Sequence, residues 1–393
     1  MPEPRHSKRA RHPIVVAGNA IITIIIVVAV ILGTVLAVGK QRFEAAGPLT
    51  QDHVVNIPRG LGIRDIADLL KREGVIDQPW IFIGSVLALK AREDLKFGEY
   101  EFKRRASLRE VVDTLVDGKV VEHRITLPEG LTSEQIVARL LENDVLAGPI
   151  KEIPKEGTLL PDTYKFKRGD TRDRLLQLMQ QEQRKAVQDA WERRMADLPI
   201  RTAEQLVVLA SIIERETGKA EERPRVAAVF INRLKQRMKL QSDPTIIYGL
   251  VGGKGTLGRP IMRSEIEQPT LYNTYVIDGL PPGPIANPGK AALQAAANPS
   301  RTKDLFFVAD GAGGHRFAEN LEQHIRNVAA LRLIEQQQRE QSKASNEQPE
   351  APPPTAFVPV TPAVPQTTSN PPASLRTVRP PTPPARPKTS GTQ

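Results

Sequence analysis

The 393-residue sequence contains no cysteine, which excludes a disulfide scaffold, a cysteine-ligated zinc site, an iron–sulfur cluster and thiol catalysis. Its six histidines are scattered and form no HExxH pattern, so we predict no metal site. Aromatic residues make up only 4% of the chain, too few for a platform that stacks single-stranded bases, and we predict no nucleic-acid partner. In the Gly-rich stretch GLVGGKGT at 249–256 the lysine is followed by Gly, whereas a phosphate-binding loop has Ser or Thr there. The stretch is therefore not a phosphate-binding loop.

A long uncharged segment is present near the N-terminus. Residues 13–39 carry no charge, and the run from 14 to 39, rich in Ile and Val, is 26 residues long. A bilayer requires about 20 apolar residues, whereas the core of a signal peptide ends after roughly 7–15. We therefore predict an uncleaved transmembrane helix over 13–39 rather than a buried core helix. Four basic residues precede it: Arg5, Lys8, Arg9 and Arg11. Such a flank predicts a cytoplasmic segment at 1–12 and, in a bacterium, a periplasmic remainder.

An internal repeat follows the hydrophobic segment. Residues 55–76 (VNIPRGLGIRDIADLLKREGVI) and 125–146 (ITLPEGLTSEQIVARLLENDVL) align at an offset of 70. Each copy begins with a short strand and a Pro-x-Gly turn and continues as an amphipathic helix. The unit resembles the LysM fold, which binds glycans, and glycan contact and a purely structural role both stay open. We assign 50–124 to a LysM-like subdomain and 125–335, which includes the second copy, to a separate region.

The composition changes towards the C-terminus. After about Glu335, a helix-like run of Gln, Glu and Lys leads into 349–387, which carries 14 prolines. Such a sequence cannot bury enough apolar area to fold, so we predict a charged, then Pro-rich, disordered tail over 336–393. The basic residues near its end are compatible with contact to anionic wall polymers and equally with a solvated tail.

The segment TAEQLVVLASIIERET at 202–217 predicts a buried helix that ends in two acids. Its apolar residues cover nearly every face, which is typical of buried helices, and Thr202 and Gln205 stand at capping-box spacing. Glu214 and Glu216 are two positions apart and therefore point about 200° apart, so they cannot act as a paired acid and base in one cleft. One would be structural, paired with a nearby arginine. Burial would raise the pKa of the other into the range of a general acid. The spacing does not say which acid this is, and the alternative that both are ordinary charges at a helix end stays open.

Polar and aromatic side chains cluster beside turns further along the chain. They belong to the segments LQSDPTIIYG, LYNTY, GLPPGPIANPG and FFVADGAGGHRF. Rings offer stacking faces, and amides form paired hydrogen bonds to hydroxyl and acetamido groups, so this composition beside one acid suits a sugar-binding cleft. The candidate substrate-binding residues are Gln241, Asp243, Tyr248, Tyr272, Asn273, Tyr275 and His315.

Several segments together resemble the YceG-like family of endolytic murein transglycosylases. The resemblance is carried by ASIIERET, NRL, LQSDPTIIYG, YNTY, GLPPGPIANPG and FVADGAGGH, in this order, and extends from the hydrophobic segment to about residue 335. It implies an α+β fold with a single transmembrane helix, LysM-like β-α subdomains and a lysozyme-like mixed α/β catalytic domain. It places the catalytic acid at Glu216, because lysozyme-like lytic transglycosylases have a catalytic Glu followed by Ser, to which Thr217 is similar. Gln241 and the Tyr272–Asn273 pair look like the cleft residues of those enzymes.

The activity implied by the resemblance is that of an inner-membrane lyase with its catalytic part in the periplasm. It would cleave the MurNAc–GlcNAc bond of nascent glycan strands, leave 1,6-anhydro-MurNAc ends and so end glycan elongation. One acid suffices for this reaction, with no metal and no cofactor. The implied partners are peptidoglycan glycan strands and the inner membrane, with peptidoglycan synthases as a further candidate. A muramidase-type hydrolase that uses Asp243 as a second carboxylate, and a non-enzymatic peptidoglycan-binding scaffold, stay open as alternatives.

Overall fold

The computed structural model describes residues 13–346, and side chains from 17 to 340. The predicted cytoplasmic segment, 1–12, and the Pro-rich sequence from 347 onwards lie outside the described residues. The part of the predicted tail that is described, 336–346, continues the last helix of the chain. The helix-like run of Gln, Glu and Lys is therefore helical, and the element extends past the predicted boundary at Glu335.

The chain begins with one long helix, α1 (Pro13–Glu44). From Ala17 to Glu44 its mean hydropathy reaches 3.2, and none of the most apolar stretch is buried by the rest of the protein. It is long and apolar enough to cross a membrane, as predicted. The helix extends beyond residue 39 because Lys, Gln, Arg and Glu are good helix formers. In this last turn Phe43 packs against the first hydrophobic core.

The first repeat copy builds a two-stranded antiparallel sheet covered by helices. Its elements are β1 (His53–Ile57), α2 (Ile63–Arg72), α3 (Pro79–Ala88), β2 (Gly98–Phe102) and α4 (Leu108–Asp117). Strands β1 and β2 pair with Val55 opposite Tyr100. Their inward side chains and the apolar faces of the three helices form the first core, from Leu49 to Leu115.

The second repeat copy has the same order of strands and helices, except that its described residues, 123–192, contain no helix corresponding to α3. Its elements are β3 (His123–Thr126), α5 (Ser133–Leu141), β4 (Thr163–Phe166) and α6 (Arg172–Glu192). Strands β3 and β4 pair with Ile125 opposite Tyr164, and a separate core extends from Leu127 to Met179. The predicted capping box of α5 is present: Thr132 accepts from the Gln135 amide, and the Gln135 side chain accepts in return.

The repeat is longer than the sequence comparison indicates. In both copies a tyrosine of the second strand donates to a carbonyl four residues earlier, Tyr100 to Lys96 and Tyr164 to Leu160, each at 2.8 Å. Ser107 and Thr171 then cap the following helices in the same way. This second half aligns at an offset of 64 rather than 70. A comparison at one fixed offset misses it, because the connection inside the second copy is six residues shorter.

The remaining elements form a mainly helical body with a small hairpin. They are α7 (Ala203–Glu216), α8 (Arg223–Lys235), α9 (Asp243–Val251), α10 (Arg263–Ile266), α11 (Lys290–Ala297), β5 (Phe306–Ala309), β6 (His315–Ala318) and α12 (Leu321–Asn346). Residues Leu206 to Glu214 of α7 are all buried, which confirms the prediction of a buried helix. Helix α7 packs between α6, α8 and α11 and forms the third core with them. The whole is a mixed α/β architecture.

The Pro-x-Gly turn of the second copy is fixed against this helical body. Gly130 donates to the Asn287 carbonyl at 3.2 Å, and the Asn287 amide donates to the Leu131 carbonyl at 2.9 Å. Arg215, near the end of α7, donates to the Gly130 carbonyl at 3.2 Å. The corresponding turn of the first copy is exposed, with Arg59 above the Phe97 ring at 4.0 Å. The two copies therefore have different surroundings.

Candidate active site

Glu216 is the last residue of α7, and its carboxyl group is partly buried. The Ser242 hydroxyl donates to Glu216 Oε1 at 2.5 Å. Among the described residues no group donates to the other oxygen, Oε2. The carboxyl group is thus held through one oxygen, and the second has no described hydrogen-bond donor.

The surroundings of Glu216 favour its neutral form. Burial, the largest cause, and the nearby negative charge of Asp243 raise the pKa of Glu216 to about 7. The hydrogen bond from Ser242 and the charges of Arg233 and Arg215 act in the opposite direction. A carboxylic acid with this pKa can give up and take back a proton near neutral pH.

Glu214 has different hydrogen-bond partners from Glu216. It is buried, and its carboxylate accepts from Arg223 Nη2 at 2.8 Å and from the Gly289 amide at 2.9 Å. Arg223 also donates to Glu129 of the second repeat copy at 2.9 Å. Burial raises the pKa of Glu214, and the hydrogen bond from Gly289 opposes that shift. Glu214 therefore joins α7 to α8 and to the loop before α11.

A cluster of polar side chains surrounds the acid on the Ser242 side. The Tyr275 hydroxyl donates to Asp243 Oδ1 at 2.6 Å. Burial and the Asp243 carboxylate raise the pKa of Tyr275, so its hydroxyl stays protonated. Arg233, which is 7% exposed, donates to the Leu240 carbonyl at 2.8 Å and to Gln241 Oε1 at 3.3 Å. The structure therefore brings Gln241, Asp243 and Tyr275 into the surroundings of Glu216.

Two tyrosines and a further acid form a second group along α9. The rings of Tyr248 and Tyr272 lie 4.8 Å apart between centroids, and the Tyr248 hydroxyl donates to Glu156 Oε2 at 3.3 Å. Glu156 Oε1 accepts from the Ser133 amide at 2.8 Å and from Asn287 Nδ2 at 2.9 Å. Burial raises the pKa of Glu156. This carboxyl group connects the second repeat copy, α9 and the loop before α11.

The model of the YceG-like family matches residues 55–330. This chain belongs to the YceG-like family. A Bacillus subtilis protein named endolytic murein transglycosylase is 29% identical over 327 residues, 75% of this chain and 89% of that protein. Proteins of the same name from two Streptococcus pneumoniae strains are 28% identical over 326 residues, 70% of this chain and 57% of each relative. The chain thus spans little more than half of the pneumococcal relatives. The crystal structure of a YceG-like protein from Listeria monocytogenes is 30% identical and covers 70% of this chain and 99% of its own, with a TM-score of 0.42.

Two residues of the predicted YceG-like site have other surroundings. Asn273 is 0% exposed, and its side-chain nitrogen donates to the carbonyls of Ile266 and Gln268 at 2.9 and 2.8 Å, while its oxygen accepts from the Tyr275 amide. Its amide is occupied in supporting the turn that carries Tyr275. His315 lies on β6, and its Nδ1 is 2.6 Å from Glu222 Oε2. No described contact joins either side chain to Glu216.

Sequence reasoning missed Ser242 and Arg233, which contact or lie near the acid. Ser242 is fixed because its amide donates to Thr274 Oγ1 at 2.9 Å, while Gln241 before it adopts a left-handed φ of 52°. The Ser-Asp-Pro sequence at 242–244 is a helix-start signal and predicts the beginning of α9. It does not predict that the hydroxyl turns away from the helix towards an acid 26 residues earlier.

A groove of about 650 Å³ lies between α6, α8 and α11, with Lys185, Arg223 and Lys290 among its lining residues. Glu216 and the polar cluster around Ser242 do not contribute to this lining. No group of three His, Asp or Glu side chains with the geometry of a metal site occurs in the described part of the chain.

Proposed function

We propose that this chain is an endolytic peptidoglycan lytic transglycosylase with Glu216 as its single catalytic acid. The observation that carries the proposal is the position of Glu216. It is the second acid of the family segment ERET, partly buried, with a pKa raised to about 7. Membership of the YceG-like family and the names of the relatives support the reaction class.

In the first step Glu216 acts as a general acid. Its Oε2 proton passes to the glycosidic oxygen between MurNAc and GlcNAc, the bond to the MurNAc anomeric carbon breaks, and GlcNAc leaves as an alcohol. The developing positive charge on the MurNAc ring is stabilised by the carboxylate that Glu216 has become. Because the neutral acid is present at neutral pH, no activating ion is required in this account.

In the second step the same carboxylate acts as a base. It removes the proton from the C6 hydroxyl of the MurNAc residue, whose oxygen then bonds to the anomeric carbon and closes the 1,6-anhydro ring. Glu216 ends the cycle protonated, as it began. The nucleophile belongs to the substrate itself, so the entropy cost of bringing two molecules together is absent.

The residues around the acid have distinct roles in this proposal. Ser242 orients the carboxyl group through Oε1, and Asp243 keeps its pKa high. Gln241, exposed at the start of the α9 segment, offers an amide to the acetamido groups of the sugar. Tyr248 and Tyr272 offer ring surface to the glycan, and Tyr275 positions Asp243. Asn273 and His315 would stabilise the surroundings of the site and would not contact the sugar.

The topology is part of the proposal. Helix α1 would cross the inner membrane with residues 1–12 in the cytoplasm and the rest of the chain in the periplasm. The region 50–124 would be a LysM-like subdomain and 125–335 the catalytic part, since the second copy shares backbone hydrogen bonds with the helical body. Peptidoglycan synthases are the proposed protein partners at the growing strand.

The product distinguishes this proposal from its alternatives. Full-length protein in detergent is incubated with purified glycan strands, and the fragments are identified by mass spectrometry. We expect 1,6-anhydro-MurNAc ends from the unmodified chain and none from Glu216→Gln, while Glu214→Gln retains more activity than Glu216→Gln. Reducing ends would instead support a hydrolase with Asp243 as second carboxylate. Unchanged wall function in cells carrying Glu216→Gln would support a scaffold.

A further inference from the structure

Helix α3 is apolar on both of its faces, although only one face is buried. Its sequence, PWIFIGSVLA, contains no charged residue. Ile81, Phe82 and Val86 point into the first core, whereas Trp80 and Leu87 are 67% and 53% exposed. Trp80 and Leu87 are seven positions apart, so they lie on the same stripe of the helix, with the exposed Gly84 between them. The solvent face of a helix in a soluble domain normally carries polar residues, and this one therefore indicates a partner.

The position of α3 next to the hydrophobic helix identifies the partner. Helix α1 contacts α3, and Arg42 of α1 lines one small cavity together with Gln78 and Ile81 at the beginning of α3. Arg42 follows the last residue of the uncharged run, Gly39, by about 4.5 Å along the helix axis. The polar headgroup zone extends roughly 5–7 Å beyond the hydrocarbon core on each side of a bilayer. The start of α3, with Trp80, is therefore at headgroup depth when α1 spans the membrane.

We propose that α3 lies against the periplasmic surface of the bilayer that α1 crosses, with Trp80 and Leu87 inserted between the lipids. This inference rests on the proposal that α1 is a transmembrane helix. Tryptophan is enriched at membrane interfaces, and interfacial helices bury an apolar face about 5–10 Å deep. The uncharged run, 13–39, is about 40 Å long as a helix, which exceeds a hydrocarbon core of about 30 Å and favours tilt. Tilt brings one side of the first repeat copy towards the surface, and α3 is the apolar side.

A glycan strand is the other ligand that an exposed tryptophan could bind. Sugar subsites combine a ring with hydrogen-bonding side chains that fix the hydroxyl groups. The stripe on α3 offers Gly84 and Leu87 beside the ring and no such group within the helix face. Lipid is therefore the ligand that the composition of this face favours.

The two tryptophans of the chain give a direct test. Full-length Trp191→Phe, which retains Trp80 as its only indole, is reconstituted into phospholipid vesicles with or without bromine atoms on the upper acyl chains. Bromine quenches indoles only at short range, so we expect Trp80 emission to fall by about half or more in brominated vesicles. The matched variant Trp80→Phe retains only Trp191, which packs on the third core beneath Arg194, and its emission should change by less than about a tenth.

Flotation of the vesicles separates this inference from the anchor on which it rests. If the protein floats with the vesicles but Trp80 is no more quenched than Trp191, the proposal for α3 is wrong while the anchor stands. If the protein does not float, the anchor itself is wrong. Trp80 emission that responds to soluble glycan fragments and not to brominated lipid would identify a sugar site and overturn the lipid assignment.

A second measurement tests the proposal if either tryptophan variant fails to fold. Because the chain has no cysteine, Leu87→Cys introduces a unique site for a polarity-sensitive dye, and Leu271→Cys, at a position 75% exposed, is its control. We expect a blue-shifted dye emission at residue 87 only when the protein is in vesicles. Equal spectra at the two sites would contradict the proposal.

Discussion

Ser242 donates a 2.5 Å hydrogen bond to Oε1 of Glu216, from a position 26 residues further along the chain. A hydrogen bond to a carboxylate stabilises its charged form and so lowers its pKa. Ser242 therefore acts against burial and keeps the acid from becoming too weak to release its proton. The balance between these two effects leads to the first prediction.

Replacing Ser242 by Ala should raise the pKa of Glu216. Cleavage requires the protonated acid, so the decline of kcat/KM at high pH should move to higher pH, by up to about one unit. The loss of orientation should lower the maximal rate about 2- to 10-fold, the value of one hydrogen bond. Ser300→Ala is the control, since Ser300 has no described side-chain hydrogen bond. An unchanged pH profile would contradict the role given to Ser242.

Replacing Asp243 by Asn should shift the pH profile in the opposite direction. The Asp243 charge raises the pKa of Glu216, so its removal lowers that pKa and moves the high-pH decline to lower pH. Tyr275→Phe removes the 2.6 Å hydrogen bond to Asp243 but keeps the Asp243 charge, so the high-pH decline of this variant should not shift to lower pH. We expect anhydro ends from both variants. Complete inactivity of Asp243→Asn would favour the hydrolytic alternative.

Glu216→Gln should make the protein more stable at pH 8 but not at pH 4. The folded-state pKa of about 7 exceeds the ordinary 4.5, so folding binds a proton between these values and the free energy of unfolding falls as pH rises through that window. The difference corresponds to at most about 3 kcal/mol above pH 7. Thermal unfolding of both proteins in detergent at pH 4, 6 and 8 measures it. A constant difference across this range would show that burial does not raise the pKa.

Glu214→Gln should act on stability rather than on the chemical step. It removes the charge that faces Arg223 in a buried setting, which should cost about 1–3 kcal/mol and lower the melting temperature. Glu129 pairs with the same arginine, but its side chain is 39% exposed compared with 2% for Glu214. Glu129→Gln should therefore cost less, about 1 kcal/mol at most. A variant of Glu214 that melts normally but has lost the pH dependence of cleavage would reverse the assignment of the two acids.

The features that could be predicted from sequence are those carried by neighbouring residues. The burial of α7 follows from a continuous apolar run, and the different partners of Glu214 and Glu216 follow from helix geometry. Thr202 caps the helix as its side chain predicts, but the Gln205 side chain accepts from the Arg201 amide instead of completing a capping box. Ser242 and Arg233 could not be predicted, because their place beside the acid depends on how three separate segments pack. The role of Asn273 could not be predicted either. The sequence suggests a side-chain amide that can contact a sugar, but in the fold this amide donates to carbonyls of the 265–268 segment.

Asn287 determines how small a working fragment of this protein can be. Its backbone and side chain hold the 130–133 turn and Leu159 at one end of a loop whose other end, Gly289, is tied to Glu214 of the acid-bearing helix. A protein that begins after residue 133 would lack the hydrogen-bond partners of Asn287 in the 130–133 turn. The loop from Asn287 to Gly289, which contacts Glu214 on α7, would then be less well fixed. The first copy shares no such bonds with Asn287. We therefore expect the shortest piece that still cuts to begin at the β3 strand, near His123, and not at the first residue of α7.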